Sequence, residues 1–128
     1  MKLSQLSTQD KIKLAAELDG WKLSKKYPET VMTKQLESGF LRESHIQSAS
    51  LKSYATSYDA IIPLIQKQTI SIQEDVLLAL VNEFNTSIKH GTRFGDFTEW
   101  RQQTIIQFST TPSQLLDALL VATGKTEL

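Results

Sequence analysis

Residues 110–127 read T-T-P-S-Q-L-L-D-A-L-L-V-A-T-G-K-T-E, and most positions have a helix-building role. Thr111 is a favoured N-cap. Pro112 fits the first helical position, where its missing N–H costs nothing. Gln114 stands where a capping box places Glu or Gln to reach back to the cap N–H. Leu115, Leu116, Leu119 and Leu120 recur at the spacing that shares one helix face. Gly124 supplies the left-handed residue that ends such a helix, and Lys125 brings a charge suited to that terminus. A helix this short must bury its leucines against something else in the chain.

Working outward, Phe97 to Thr110 places Trp100, Thr104, Ile106 and Phe108 on alternate positions. With its β-branched enrichment this predicts a strand, and a short helix from Thr98 is the competing reading. Before it, Ser71-Ile72-Gln73-Glu74 reads as a capping box opening a long amphipathic helix to about Ile88. Val76, Leu77, Leu80, Val81, Phe84 and Ile88 form its apolar face, with Gln73, Asp75, Asn82, Glu83 and Asn85 mostly away from it. Ser57 opens a helix to Gln66 that Pro63 should kink or shorten. Near the start, Ser7 or Thr8 caps a helix to about Leu18, with Asp10 in its first turn and Ile12, Ala15 and Ala16 as its stripe. Asp19-Gly20 ends it, and Trp21 and Leu23 open an extended segment, pointing the same way. Lys25 to Pro28 looks like a turn, and Ser38-Gly39 suits the turn of a hairpin joining two short strands. The serine-rich stretch Ser44 to Ser53 reads as strand or loop. The fold class expected is α+β: a helix-rich single domain over residues 1–128, with helices packed against a small antiparallel sheet, sandwich-like.

Composition narrows the function. With 128 residues the chain has one domain's length and can bury a core without staples. It has no cysteine, which excludes disulfides and thiolate metal sites. No apolar run has membrane-spanning length, and Met1-Lys2-Leu3-Ser4-Gln5-Leu6 lacks an apolar signal core, so a cytoplasmic protein without membrane association is expected. The net charge is zero, which argues against a nucleic-acid footprint. Lys22, Lys25 and Lys26 are the one local basic cluster and read as solvated surface.

Chemistry-bearing motifs are sparse. His45 and His90 have no partner at metal-ligand spacing, so no metal site is expected. No G-x-S-x-G elbow supports nucleophilic catalysis, and Asp96 with Glu99 reads as a solvated acidic pair. Asn85-Thr86-Ser87 matches a glycosylation sequon but lies within the long helix expected for a cytoplasmic protein. Trp21 and Trp100 read as core or interface anchors. The stretch from His90 to Phe97 stands apart, because Gly91 and Gly95 flank Arg93 and Phe94. Its backbone N–H groups could hold an anion, Arg93 could pair with it, and Phe94 or Phe97 could stack on the same ligand, with Arg101 nearby. The spacing fits neither the P-loop nor the dinucleotide fingerprint. A helix-to-strand connection with core aromatics is the plainer reading. No catalytic set and no cofactor are implied.

Three motifs in order give the chain a resemblance. Gly20-Trp21 follows the first helix. Tyr54-Ala55-Thr56-Ser57-Tyr58-Asp59-Ala60 leads into Ile61-Ile62-Pro63-Leu64-Ile65. Thr111-Pro112-Ser113-Gln114-Leu115 runs on to Ala118-Leu119-Leu120. On these the chain resembles the phage ABA-sandwich domain family of small phage and prophage proteins. The resemblance implies a small α/β domain with helices on a sheet, and no catalytic residues. It points to a non-enzymatic accessory protein in the host cytoplasm that binds a host protein, such as a defence or regulatory factor. The alternative is sequestration of a small nucleotide signal through Arg93, Phe94, Phe97 and Arg101. A small hydrolase is the third reading, and a homo-oligomer is open in each case. A protein binder should expose an apolar patch with an aromatic or arginine anchor; a sequestering protein should show a concave pocket lined by arginine and aromatics.

Overall fold

The computed structural model describes residues 2–25, 29–82 and 110–127. After a short 3-10 turn (Leu3–Gln5) come α1 (Thr8–Leu18), β1 (Lys22–Lys25), β2 (Val31–Gln35), β3 (Leu41–His45), α2 (Ala49–Thr56), α3 (Tyr58–Gln66), α4 (Ile70–Asn82) and α5 (Pro112–Ala122). The fold is α+β, with five α-helices and a three-stranded antiparallel sheet of order β1-β2-β3 among the described residues.

α5 is the centre of the packing. It lies along α4 and also touches α1, α2 and α3. Its ends are built as the sequence predicts. Thr111 Oγ1 accepts from the Gln114 N–H at 3.2 Å, and Gln114 Oε1 accepts from the Thr111 N–H at 2.9 Å. Gly124 has φ +75°, and the Lys125 N–H turns back to the Leu120 carbonyl at 3.0 Å. Leu115, Leu116, Leu119 and Leu120 are buried, and they meet Ile61, Leu64 and Ile65 of α3 and Val76 and Leu80 of α4 in one cluster. Lys11 and Asp117 pair at 3.0 Å between α1 and α5. The Tyr58 hydroxyl donates to the Thr110 carbonyl, tying the start of α3 to the entry of α5.

The first helix is capped as expected: Ser7 Oγ accepts from the Asp10 N–H, and Asp10 Oδ2 accepts from the Ser7 N–H. Gly20, at φ +93°, ends it. Trp21 enters the core, whereas Leu23, paired with Met32 on the edge strand β1, stays largely exposed. Pro63 lies inside α3 and faces solvent. The Asp59 carbonyl that loses its helical donor there belongs to an exposed residue, so α3 continues for nine residues.

Three expectations are corrected. The serine-rich stretch 44–53 is neither strand nor loop throughout: β3 ends at His45 and α2 begins at Ala49, with Ser48 Oγ accepting from the Leu51 N–H. α4 opens at Ile70 rather than at a Ser71 box, because Thr69 Oγ1 accepts from the Ile72 N–H at 3.3 Å. Gln73 is buried rather than turned away, since its amide donates to the carbonyls of Gln66 and Gln68 at the end of α3. These are groups that a helix terminus leaves without intrahelical partners. Val76, Leu77 and Leu80 are buried on the expected face. The end of that helix near Ile88, the loop from His90 and the strand over Phe97 to Ser109 lie outside the described residues.

Candidate functional site

The sheet packs through one side. Met32 is buried beneath it and Lys34 leans the same way, whereas Gln35, Leu41 and Glu43 on the other side are exposed. Residues 36–40 turn β2 into β3. The Leu36 N–H donates to the Phe40 carbonyl at 2.8 Å, and the Gly39 N–H donates to the Leu36 carbonyl at 2.9 Å. Gly39 takes φ +88°, a conformation that side chains disfavour, so the predicted Ser38-Gly39 turn is present.

This tip carries large apolar side chains into solvent. Phe40 is 74% exposed, Leu41 71% and Leu36 40%. Leu36 and Phe40 are paired across the hairpin, and Leu41 follows on the opposite side of the strand, so the apolar surface wraps the tip. Single exposed apolar residues are ordinary, whereas three large ones, an aromatic among them, gather here around one turn. Arg42 follows directly and donates to Ser50 Oγ at 3.0 Å, which holds the tip end of β3 to α2.

A polar cluster anchors the hairpin to the helices. Asp19 stands at the C-terminal end of α1, where helix carbonyls disfavour a carboxylate. The Tyr54 hydroxyl donates to its Oδ2, Lys67 Nζ donates to its Oδ1, and Lys34 Nζ lies 3.4 Å from Oδ2. One carboxylate thereby joins α1, β2, α2 and the end of α3. Burial pushes the Asp19 carboxyl up, but the hydrogen bonds from Lys67 and Tyr54 and the charges of Lys34 and Lys67 outweigh it and hold it below the usual carboxylate range. Burial, then the hydrogen bond and charge of Asp19, push the Tyr54 hydroxyl well above the usual tyrosine range, opposed by Trp21 and Arg42. These groups hold one another in place where the hairpin meets the helices, a structural role.

The binding residues expected from sequence, Arg93, Phe94, Phe97 and Arg101, lie outside the described residues, as do His90, Asp96, Glu99 and Trp100. His45 is placed in an ordinary structural role: its Nε2 lies 3.0 Å from a Glu29 carboxylate oxygen, and its Nδ1 accepts from the Gln47 N–H at 3.1 Å. Among the described residues, no cluster of three or more His, Asp or Glu side chains is gathered as a metal site would need. A depression of about 240 Å³ beside the hairpin is lined by Gly20, Lys22, Thr33, Lys34, Gln35 and Leu41. A second, of about 170 Å³, is lined by Leu6, Asp10, Lys13 and Leu14. Both are smaller than the roughly 300–1,000 Å³ typical of ligand pockets. Among the described residues, no helix is long and apolar enough to cross a membrane.

Sequence reasoning missed the tip as a site. Phe40 and Leu41 read as apolar residues without a clean period. The signal available was their position directly after a turn glycine, on a strand whose next residues, Arg42 and Glu43, are charged. Known protein families, curated proteins and solved structures offer no match to the chain.

Proposed function

We propose that the protein is a non-enzymatic phage or prophage accessory protein that binds a host protein, and that the β2–β3 hairpin tip is its docking surface. The observation that carries this reading is the exposed group Leu36, Phe40 and Leu41. A few well-packed anchors supply most of the energy of a protein interface, and aromatic residues such as Phe40 are enriched at its core. A tight turn and regular strand pairing hold the anchors on a preformed element, so little ordering cost is added on binding. Asp19 ties that element to the helices through Lys34, which lies one pair back from the tip.

The test is capture from a bacterial host lysate with immobilised wild-type protein and with a Phe40→Ser/Leu41→Ser variant. The wild type should retain a host protein that the variant loses, while both melt at the same temperature. Equal capture by both would remove the tip from the binding surface. Capture of nothing by the wild type would remove support for host-protein binding.

A further inference from the structure

Both outer strands of the sheet are edges among the described residues, but they are finished differently. β1 begins and ends with lysine, and its register shifts between Leu23 and Lys25. Lysines and a bulge are the usual means of blunting an edge. β3 has no lysine and no bulge; its charges are Arg42 and Glu43, of opposite sign, and it pairs with β2 in unbroken register from Val31↔His45 to Gln35↔Leu41.

The flanking hydrogen bonds show which way β3 aims its backbone. The Ile46 N–H donates to the Thr30 carbonyl at 2.9 Å, and the Leu36 N–H donates to the Phe40 carbonyl. In this register the even-numbered residues of β3 bond to β2, because hydrogen-bonded and non-bonded pairs alternate. The odd-numbered residues therefore turn their N–H and C=O groups to the free edge. His45 gives its carbonyl to the Ser48 N–H. Leu41 and Glu43 find no backbone partner there among the described residues.

We propose that a second copy of this chain pairs antiparallel with this edge, with Leu41 opposite Leu41 of the other copy. A two-fold axis through the new sheet pairs residues of equal parity and keeps the two faces of the sheet aligned. Centring it on Arg42 sets two arginines opposite each other; centring it on Glu43 sets two glutamates together. Like charges directly opposite are destabilising. Centring it on Leu41 stacks the two leucines and brings Phe40 opposite the other copy's Arg42, a cation beside an aromatic ring. It also places Glu43 opposite Gly39, away from any like charge. This pairing would unite the two sheets into one of six strands and cover Leu41 and one side of Phe40. It does not depend on the host-partner reading, but it competes for the same tip, so self-pairing would limit partner binding.

The cysteine-free chain makes the register directly testable. Leu41→Cys places two thiols across a hydrogen-bonded pair, with Cα atoms about 5.5 Å apart, within the span a disulfide bridges. Glu37→Cys, in the exposed turn of the same tip, reports random collision. Under mild oxidation Leu41→Cys should form a covalent dimer at least tenfold faster than Glu37→Cys. Wild-type protein should sediment as a dimer at about 100 μM, a weak-association range, and Leu41→Lys as a monomer with an unchanged circular dichroism spectrum. A wild-type monomer at that concentration, or equal crosslinking by the two cysteine variants, overturns the proposal. Both measurements use the purified protein alone, so their failure overturns self-pairing and leaves the host-partner reading to the capture experiment.

Discussion

Replacing Asp19 by alanine removes the acceptor that four elements share, and the structure allows the cost to be apportioned. The Tyr54 hydroxyl belongs to a side chain only 6% exposed and loses its carboxylate partner. A hydrogen bond to a charged group contributes about 1.5–3 kcal/mol, and a buried donor left without a partner has a penalty of about 1–3 kcal/mol, which overlaps that figure rather than adding to it. Lys67 is 59% exposed, so its arm of the cluster is screened and contributes no more than about 1 kcal/mol. Against this, removing a carboxylate from the C-terminal end of α1 returns about 0.3–1 kcal/mol of unfavourable dipole interaction. The balance is a loss of about 1–3 kcal/mol, measurable as a lower urea midpoint at unchanged slope. Lys67→Ala should cost less than about 1 kcal/mol. Tyr54→Phe combined with Asp19→Ala should cost clearly less than the two singly, because both remove the same bond. An Asp19→Ala effect below about 0.5 kcal/mol, the level of an ordinary surface change, would refute the reasoning.

Three further outcomes are expected. Leu80→Ala truncates a fully buried side chain at the α4–α5 contact and should cost about 2–5 kcal/mol by chemical denaturation; a surface-like cost would mean the face is misassigned. Thr111→Ala removes the cap of α5 and should cost about 0.5–2 kcal/mol, with Thr111→Ser largely restoring it. Stability should also depend on pH through the Asp19–Tyr54 pair. The Asp19 carboxyl is held below its ordinary value of 3.8, so its contribution is present above that value and is lost as the pH falls through the lower folded-state value. The Tyr54 hydroxyl is raised above 10.0, so its contribution is present below that pH and is lost as the pH rises beyond it. Melting temperatures across pH at fixed ionic strength check both limbs, and Asp19→Asn should flatten the acid one.

Local signals were legible where the residue and its helix or turn decide the outcome alone. Thr111, Pro112, Gln114 and Gly124 mark the bounds of α5 by backbone chemistry that needs no tertiary partner. Ser7, Asp10, Gly20 and the Ser38-Gly39 turn are of the same kind. What sequence reading missed depends on neighbours. Ser48 caps α2 with few apolar residues in α2 to announce a helix, so composition suggested strand or loop. Gln73 is polar and was placed outward, yet its amide is drawn inward by the carbonyls of Gln66 and Gln68, which only the α3–α4 geometry brings within reach. Asp19 read as a helix stop; its three partners are 15, 35 and 48 residues away in sequence. The exposed tip is the hardest case, because Phe40 and Leu41 have the composition of core residues, and only their place at the turn between β2 and β3 leaves them exposed.

The central claim is that this tip is where the protein meets a partner. The most direct measurement is the binding of a captured host protein, once purified, to wild type and to Phe40→Ser/Leu41→Ser by calorimetry at fixed salt. Truncating a single anchor residue of an interface costs at least about 2 kcal/mol, so loss of even one of the two should weaken binding at least about thirtyfold. Its urea midpoint should not move. Unchanged affinity in a folded variant would contradict the account and place the binding surface elsewhere on the molecule.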